Sequence, residues 1–153
     1  FAVWDRQSRK LILGRDRIGE KPLYYGWQGE GKQATFLFGS ELRALRAHPA
    51  CGSEINRGAV AQFMRHGHVG ESNAIYQGLH KLPPGCLAEL SLDRPEPAVT
   101  QYWSAVSALR PTAVDIDPST AVDELDALLR DAVARQMVAD VPLGAFLSGG
   151  VDS

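Results

Sequence analysis

Apolar and polar positions along residues 1–47 read as a meander of short strands. Phe1 to Asp5 is an apolar run that reads as a buried strand, Arg6 to Arg9 is a polar turn, and Lys10 to Gly14 is a second strand. A charged corner, Arg15-Asp16-Arg17-Ile18-Gly19-Glu20-Lys21-Pro22, leads into a third strand, Leu23 to Trp27. Glycines at 29 and 31 mark a turn before a fourth, Thr35 to Phe38. Ser40 is placed to cap a short helix from Glu41 to Ala47, with Pro49 soon after its end.

Asn56 is a candidate N-cap for a second helix reaching His66, with Val60, Phe63 and Met64 on one face and Gly67 placed to close it in the left-handed conformation. An irregular stretch from Ile75 to Gly85 follows, then a strand from Cys86 to Leu92. Residues 93–118 are rich in proline, serine and aspartate and read as a linker between two domains. A long helix is expected over Ser119 to Ala139. There Val122, Leu125, Leu128, Leu129, Ala132, Val133 and Met137 recur at three- and four-residue spacing. Asp117-Pro118 suits its start, and Thr120 with Asp123 offers a capping box as the alternative. Leu143 to Leu147 then reads as a brief apolar strand.

Composition narrows the class. A chain of 153 residues with 44% apolar and 22% charged positions can pack a core. A formal net charge of −2 lacks the basic excess that neutralises many phosphates, so no nucleic-acid partner is expected. The apolar runs are too short to cross a bilayer, and the expected setting is soluble and cytoplasmic. Cys51 and Cys86 make neither a disulfide framework nor a metal site, and the four histidines lack the paired spacing of zinc motifs. Both ends look cut, since no initiator methionine opens the chain and the last loop stops with no helix behind it.

The chemistry is concentrated in Ser148-Gly149-Gly150-Val151-Asp152-Ser153, directly after an apolar segment. Two adjacent glycines let the backbone turn tightly and gather N–H groups toward one point, a concavity suited to anionic oxygens. The hydroxyls of Ser148 and Ser153 can donate to the same oxygens, and Asp152 makes sense beside phosphate if magnesium lies between them. No lysine follows the glycines, so this is not the loop of the common nucleotide hydrolases. It resembles the pyrophosphate-binding loop of the ATP-pyrophosphatase superfamily, which cleaves ATP between its α and β phosphates.

Upstream, further blocks occur in order: Phe1-Ala-Val-Trp-Asp5, Gly14-Arg-Asp-Arg-Ile-Gly-Glu-Lys-Pro-Leu-Tyr-Tyr25, Phe38-Gly-Ser-Glu-Leu-Arg-Ala-Leu45, Leu82-Pro-Pro-Gly85, Tyr102-Trp103 and Asp140-Val-Pro-Leu-Gly144. Together with the loop they resemble the glutamine-dependent asparagine synthetases over essentially the whole chain. The resemblance implies an α+β architecture. Residues 1–92 would be part of an αββα N-terminal-nucleophile glutaminase domain, residues 93–118 the linker, and residues 119–153 the start of an α/β ATP-pyrophosphatase-type synthetase domain. It further implies that glutamine is hydrolysed by a cysteine at the mature N-terminus and that ammonia travels inside the protein. ATP then activates aspartate as an aspartyl-adenylate, and asparagine forms with release of AMP and pyrophosphate.

Under this resemblance the catalytic cysteine lies outside the sequence, and neither Cys51 nor Cys86 replaces it, so the fragment alone would be inactive. Leu147 would lie against adenine or ribose, Ser148, Gly149, Gly150 and Ser153 would bind pyrophosphate, Asp152 would hold magnesium, and Val151 would pack under the loop. The expected cofactors are ATP and Mg2+, the expected partners aspartate, glutamine and ATP, and a homodimer is compatible with the family. β-Lactam synthetases and amidotransferases of peptide or exopolysaccharide pathways share these blocks and form the alternative, with a non-catalytic nucleotide-binding domain as a third reading. The Arg15-Asp16-Arg17 corner admits an anion-binding reading, but an ion-paired turn orienting two strands is preferred. Tyr24, Tyr25 and Trp27 read as core and interface aromatics.

Overall fold

The computed structural model describes residues 1–70, 72–109 and 117–151. The chain divides into two units, Phe1–Arg110 and Pro111–Ser153. In the first, two antiparallel sheets form from the predicted meander. Strands β1 (Ala2–Asp5), β2 (Lys10–Gly14), β6 (Cys86–Ser91) and β7 (Arg94–Gln101) make one sheet, in the order β1-β2-β6-β7. Strands β3 (Tyr24–Gln28), β4 (Thr35–Gly39) and β5 (His80–Lys81) make the other, in the order β4-β3-β5. This is a mixed α/β unit built on antiparallel sheets, in line with the expected class.

Alternation decides what lies between the sheets. Leu13 pairs with Ala88 and Leu11 with Leu90, so these positions share one face of the first sheet. Leu13, Cys86 and Ala88 from that face join Leu23, Tyr25 and Leu82 in one buried cluster, with Phe36 packed against it. The sheets therefore meet face to face through this core. On the far side of the second sheet, Leu37 and Tyr24 pack with Leu45 of α1 (Leu42–Arg46), Ala74 and Leu79. The approach of chains here is close: Gly26 in β3 lies so near the Gly78 carbonyl oxygen that a Cβ would collide with it, and Gly78 itself has φ of 70°.

Several expectations hold in detail. Helix α2 (Arg57–His66) is capped by the Asn56 side chain, which accepts from Ala59 N, and is closed by Gly67 at φ 73°. Helix α4 (Pro118–Gln136), in the second unit, starts from Asp117, whose carboxylate accepts from the backbone of Ser119 and Thr120, with Pro118 in the first turn. The capping box of Thr120 and Asp123 does not form there, because the Asp117 carboxylate already occupies the first donors.

Others are corrected. The first strand is exposed rather than buried, with Phe1 72% exposed, because β1 is an edge strand paired only with β2 among the described residues. Helix α1 is not capped by Ser40; its N-cap is Glu41, without a side-chain hydrogen bond. The face of Val60, Phe63 and Met64 on α2 lies open, and the residue that α2 buries is Ala59. The stretch from 93, read as linker, contains β7 and a short helix α3 (Ala105–Ala108). Pro95 and Pro97 suggested a loop, but β7 is an edge strand, where a missing N–H costs no ladder bond, and the prolines fall at a register irregularity opposite Glu89 and Ser91. The strand expected over Leu143 to Leu147 is irregular. A strand needs a hydrogen-bonding neighbour, and the second unit has no second strand among the described residues.

Candidate functional site

The candidate loop lies in the second unit, beyond α4. Leu147 and Val151 are exposed there, and neither Gly144 nor Gly149 has any atom within 4 Å of where a Cβ would stand. Gly150 N donates to Ser148 Oγ at 3.2 Å, a serine turn that bends the backbone between the two glycines. The structure thus brings Ser148, Gly149 and Gly150 into one tight bend. Asp152 and Ser153, the expected magnesium and phosphate ligands, lie outside the described residues. The described part of the loop offers N–H and hydroxyl donors of the kind that suit phosphate oxygens.

In the first unit, the charged corner is organised by hydrogen bonds to the main chain rather than by an ion pair. Arg15 is buried, and its guanidinium donates to the carbonyl oxygens of Lys21 at 3.1 Å, Leu82 at 2.7 Å and Gly19 at 2.8 Å. Its own carbonyl accepts from Tyr102 Oη at 2.8 Å. Asp16 accepts from the backbone N–H groups of Ile18, Gly19, Glu20 and Lys21. Partial dehydration at the corner works to raise the Asp16 carboxyl, but the N–H groups of Glu20, Lys21, Gly19 and Ile18 together outweigh it and hold it below its ordinary value. The ion-paired reading of this corner is therefore replaced. The motif's glycine and prolines were the legible sign, since the donors of Arg15 end on the carbonyls around them.

Loop and strand ends are locked to the same corner. Gly85, at φ 64°, receives Tyr102 N and Trp103 N on its carbonyl, and its own N–H bonds to Asp16 O. Trp27 Nε1 donates to Pro95 O at 2.6 Å and its ring meets Phe36 edge-on at 5.4 Å between centroids. Tyr25 is buried, which raises its hydroxyl above the usual range, with Cys86 nearby adding to the effect. Cys86 is buried in β6 and Cys51 half-buried, and neither forms a disulfide among the described residues. Neither sits at a chain terminus, where an amine could serve as its base.

Two antiparallel sheets sharing one core, and a separate unit with a Ser-Gly-Gly turn, make a chain of two parts. The profile described as Glutamine amidotransferase domain matches residues 1–103, and that described as Asparagine synthase matches residues 124–153. Asparagine synthetase [glutamine-hydrolyzing] 3 of Bacillus subtilis is 34% identical over 154 residues, covering 100% of this chain and 24% of that protein. Asparagine synthetase [glutamine-hydrolyzing] 2 of the same organism is 31% identical over 160 residues, covering 100% and 21%. Amidase chyE of Penicillium rubens is 29% identical over 155 residues, covering 100% and 21%. The chain belongs to the glutamine amidotransferase domain family through residues 1–103, and residues 124–153 match asparagine synthase. It spans about a quarter of the length of these relatives.

Proposed function

We propose that the protein containing this chain makes asparagine from aspartate, glutamine and ATP through an aspartyl-adenylate, releasing AMP and pyrophosphate. In this reading the first unit belongs to an αββα glutaminase layer structure and the second opens an ATP-pyrophosphatase-type domain, joined through residues after β7. Ser148, Gly149, Gly150 and Ser153 bind the pyrophosphate portion of ATP, Leu147 lies against its nucleoside, Val151 packs beneath, and Asp152 holds magnesium. Magnesium supplies charge neutralisation at the phosphates when bound. The reading locates the protein in the cytoplasm, with a homodimer as its assembly; among the described residues no helix is long and apolar enough to cross a membrane.

The observation that carries this proposal is the Gly150 N–H bond to Ser148 Oγ, a bend formed inside the segment matched by the asparagine synthase profile. The full-length protein carrying Asp152→Ala is expected to lose ATP-dependent asparagine formation while glutamine hydrolysis survives. Retention of both activities would remove Asp152 from the site.

A second reading is a related ligase with another carboxylate acceptor. It is favoured by the match to a relative named amidase chyE across the whole chain. Pyrophosphate release measured with aspartate and with a panel of other carboxylates separates the two. Turnover with aspartate alone supports the first, and turnover with another acid in its absence supports the second.

A further inference from the structure

Beyond β7 the chain leaves the first unit through a segment that is tied down at one end and loose at the other. Tyr102 N and Trp103 N both donate to Gly85 O, at 2.8 and 3.2 Å, and Tyr102 Oη donates to Arg15 O at 2.8 Å. Gly85 permits this approach, since a Cβ there would stand 2.3 Å from the Trp103 carbonyl oxygen, and its φ of 64° suits glycine. The two N–H groups share one carbonyl on the turn after Pro84. The hydroxyl reaches elsewhere, to the charged corner.

The far end of the segment is held differently. Helix α3 has four residues, buries none of them and has no side-chain cap at Ser104. Its bonds from Ala108 N to Ser104 O and from Leu109 N to Ala105 O stay within the segment. A gap of about 540 Å3, rather than a packed contact, is lined by Ile18, Pro83 and Pro84 together with Trp103, Ala105 and Val106. Ile18 and Val106 are 75% and 77% exposed. A helix this short does not stand by itself in water, so it persists only while Tyr102 and Trp103 hold the segment in place.

We propose that residues 102–109 form a strap that opens and closes on the first unit as one piece, with the Tyr102 hydroxyl as its latch. Opening breaks few bonds and uncovers little apolar surface, so its equilibrium lies well above that of global unfolding. The strap ends at the boundary of the first unit. Its latch therefore sets whether the chain departs from Gln101 or from Leu109. Released, the segment adds up to about 25 Å of extended chain. All of these residues lie in the first unit, so the strap stands whether or not the nucleotide reading of the second is right.

The test is amide hydrogen exchange of the isotopically labelled 153-residue chain, followed by NMR at several urea concentrations below the unfolding transition. The amides of Tyr102, Trp103, Ala108 and Leu109 are expected to share one opening equilibrium that urea hardly changes, since a local opening exposes little surface. The Leu82 amide, bonded in the core to Leu23 O at 2.8 Å, should exchange at least about a hundredfold more slowly without urea and accelerate steeply with it. Tyr102→Phe keeps the ring, removes the latch and should raise strap exchange about fivefold. Gly85→Ala should hold the strap off and leave its amides unprotected; if that variant does not fold, Tyr102→Phe decides alone. Strap amides that follow the urea dependence of Leu82, positions 108 and 109 that do not move with 102 and 103, or unchanged strap exchange in Tyr102→Phe would each overturn the proposal.

Discussion

Arg15 holds its corner by spanning carbonyls from three places in the chain, those of Gly19, Lys21 and Leu82. An ammonium on a flexible stem cannot meet all three at once, so Arg15→Lys is not a conservative change at this position. Each buried carbonyl left without its partner costs about 1–3 kcal/mol. Arg15→Met should therefore destabilise the first unit by about 3–5 kcal/mol and Arg15→Lys by somewhat less, read from urea denaturation midpoints. Asp16 adds a dependence on pH. Its folded carboxyl titrates below the unfolded one, so the unfolded chain binds more protons in that range and stability falls as pH falls through the folded value. Asp16→Asn should be less stable than the parent at neutral pH, and the difference should vanish in acid below the folded titration. A gap that persists unchanged in acid would mean that the charge of Asp16 contributes nothing.

At the scale of elements, the central strand β3 is constrained by what crosses it. Gly26 faces the Gly78 carbonyl so closely that Gly26→Ala must displace backbone, and the strand is held on both sides by β4 and β5. We expect a loss of about 2–3 kcal/mol, seen as a lower thermal midpoint with the native far-ultraviolet circular dichroism retained below it. By contrast, Asn56→Ala removes one cap from α2 and should cost about 1 kcal/mol. These elements differ in how far they could be read from the chain alone. Asn56 and Gly67 mark both ends of α2 because capping is local chemistry. Strand β7 was hidden because the prolines that normally exclude a strand are tolerated on a sheet edge, a fact of position in the sheet that no local pattern carries. Ser40 looked like a cap, yet the chain turns one residue later, at Glu41. The apolar run at Phe1 looked buried because alternation reports a strand and says nothing of whether another layer lies over it.

For the whole molecule, the two units differ in what holds them. The first has two sheets closed on Leu13 and Leu82, a second cluster around Leu79 on the far side of the second sheet, and contacts between residues distant in sequence. In the second, α4 leaves Val122, Leu125, Leu129 and Val133 each more than half exposed, so its apolar stripe contributes little burial. Its local supports are the Asp117 cap and two pairs spaced four apart, Arg130 with Asp126 and Arg135 with Asp131, both on exposed side chains. Exposed pairs of this kind add about 0.3–0.5 kcal/mol each, against the unfavourable nucleation that a helix without tertiary packing must overcome. The Ser-Gly-Gly turn was legible as a motif for the same reason that its surroundings were not: Ser148, Gly149 and Gly150 form their bend locally, whereas the strand expected before it depends on neighbours distant in sequence. Residues 111–153 prepared separately should therefore show partial helicity that melts gradually, reduced further by Asp117→Ala, while residues 1–110 should unfold in a single cooperative transition. Circular dichroism against temperature reads both. A sharp transition in residues 111–153 would show that burial within that unit outweighs its caps and pairs.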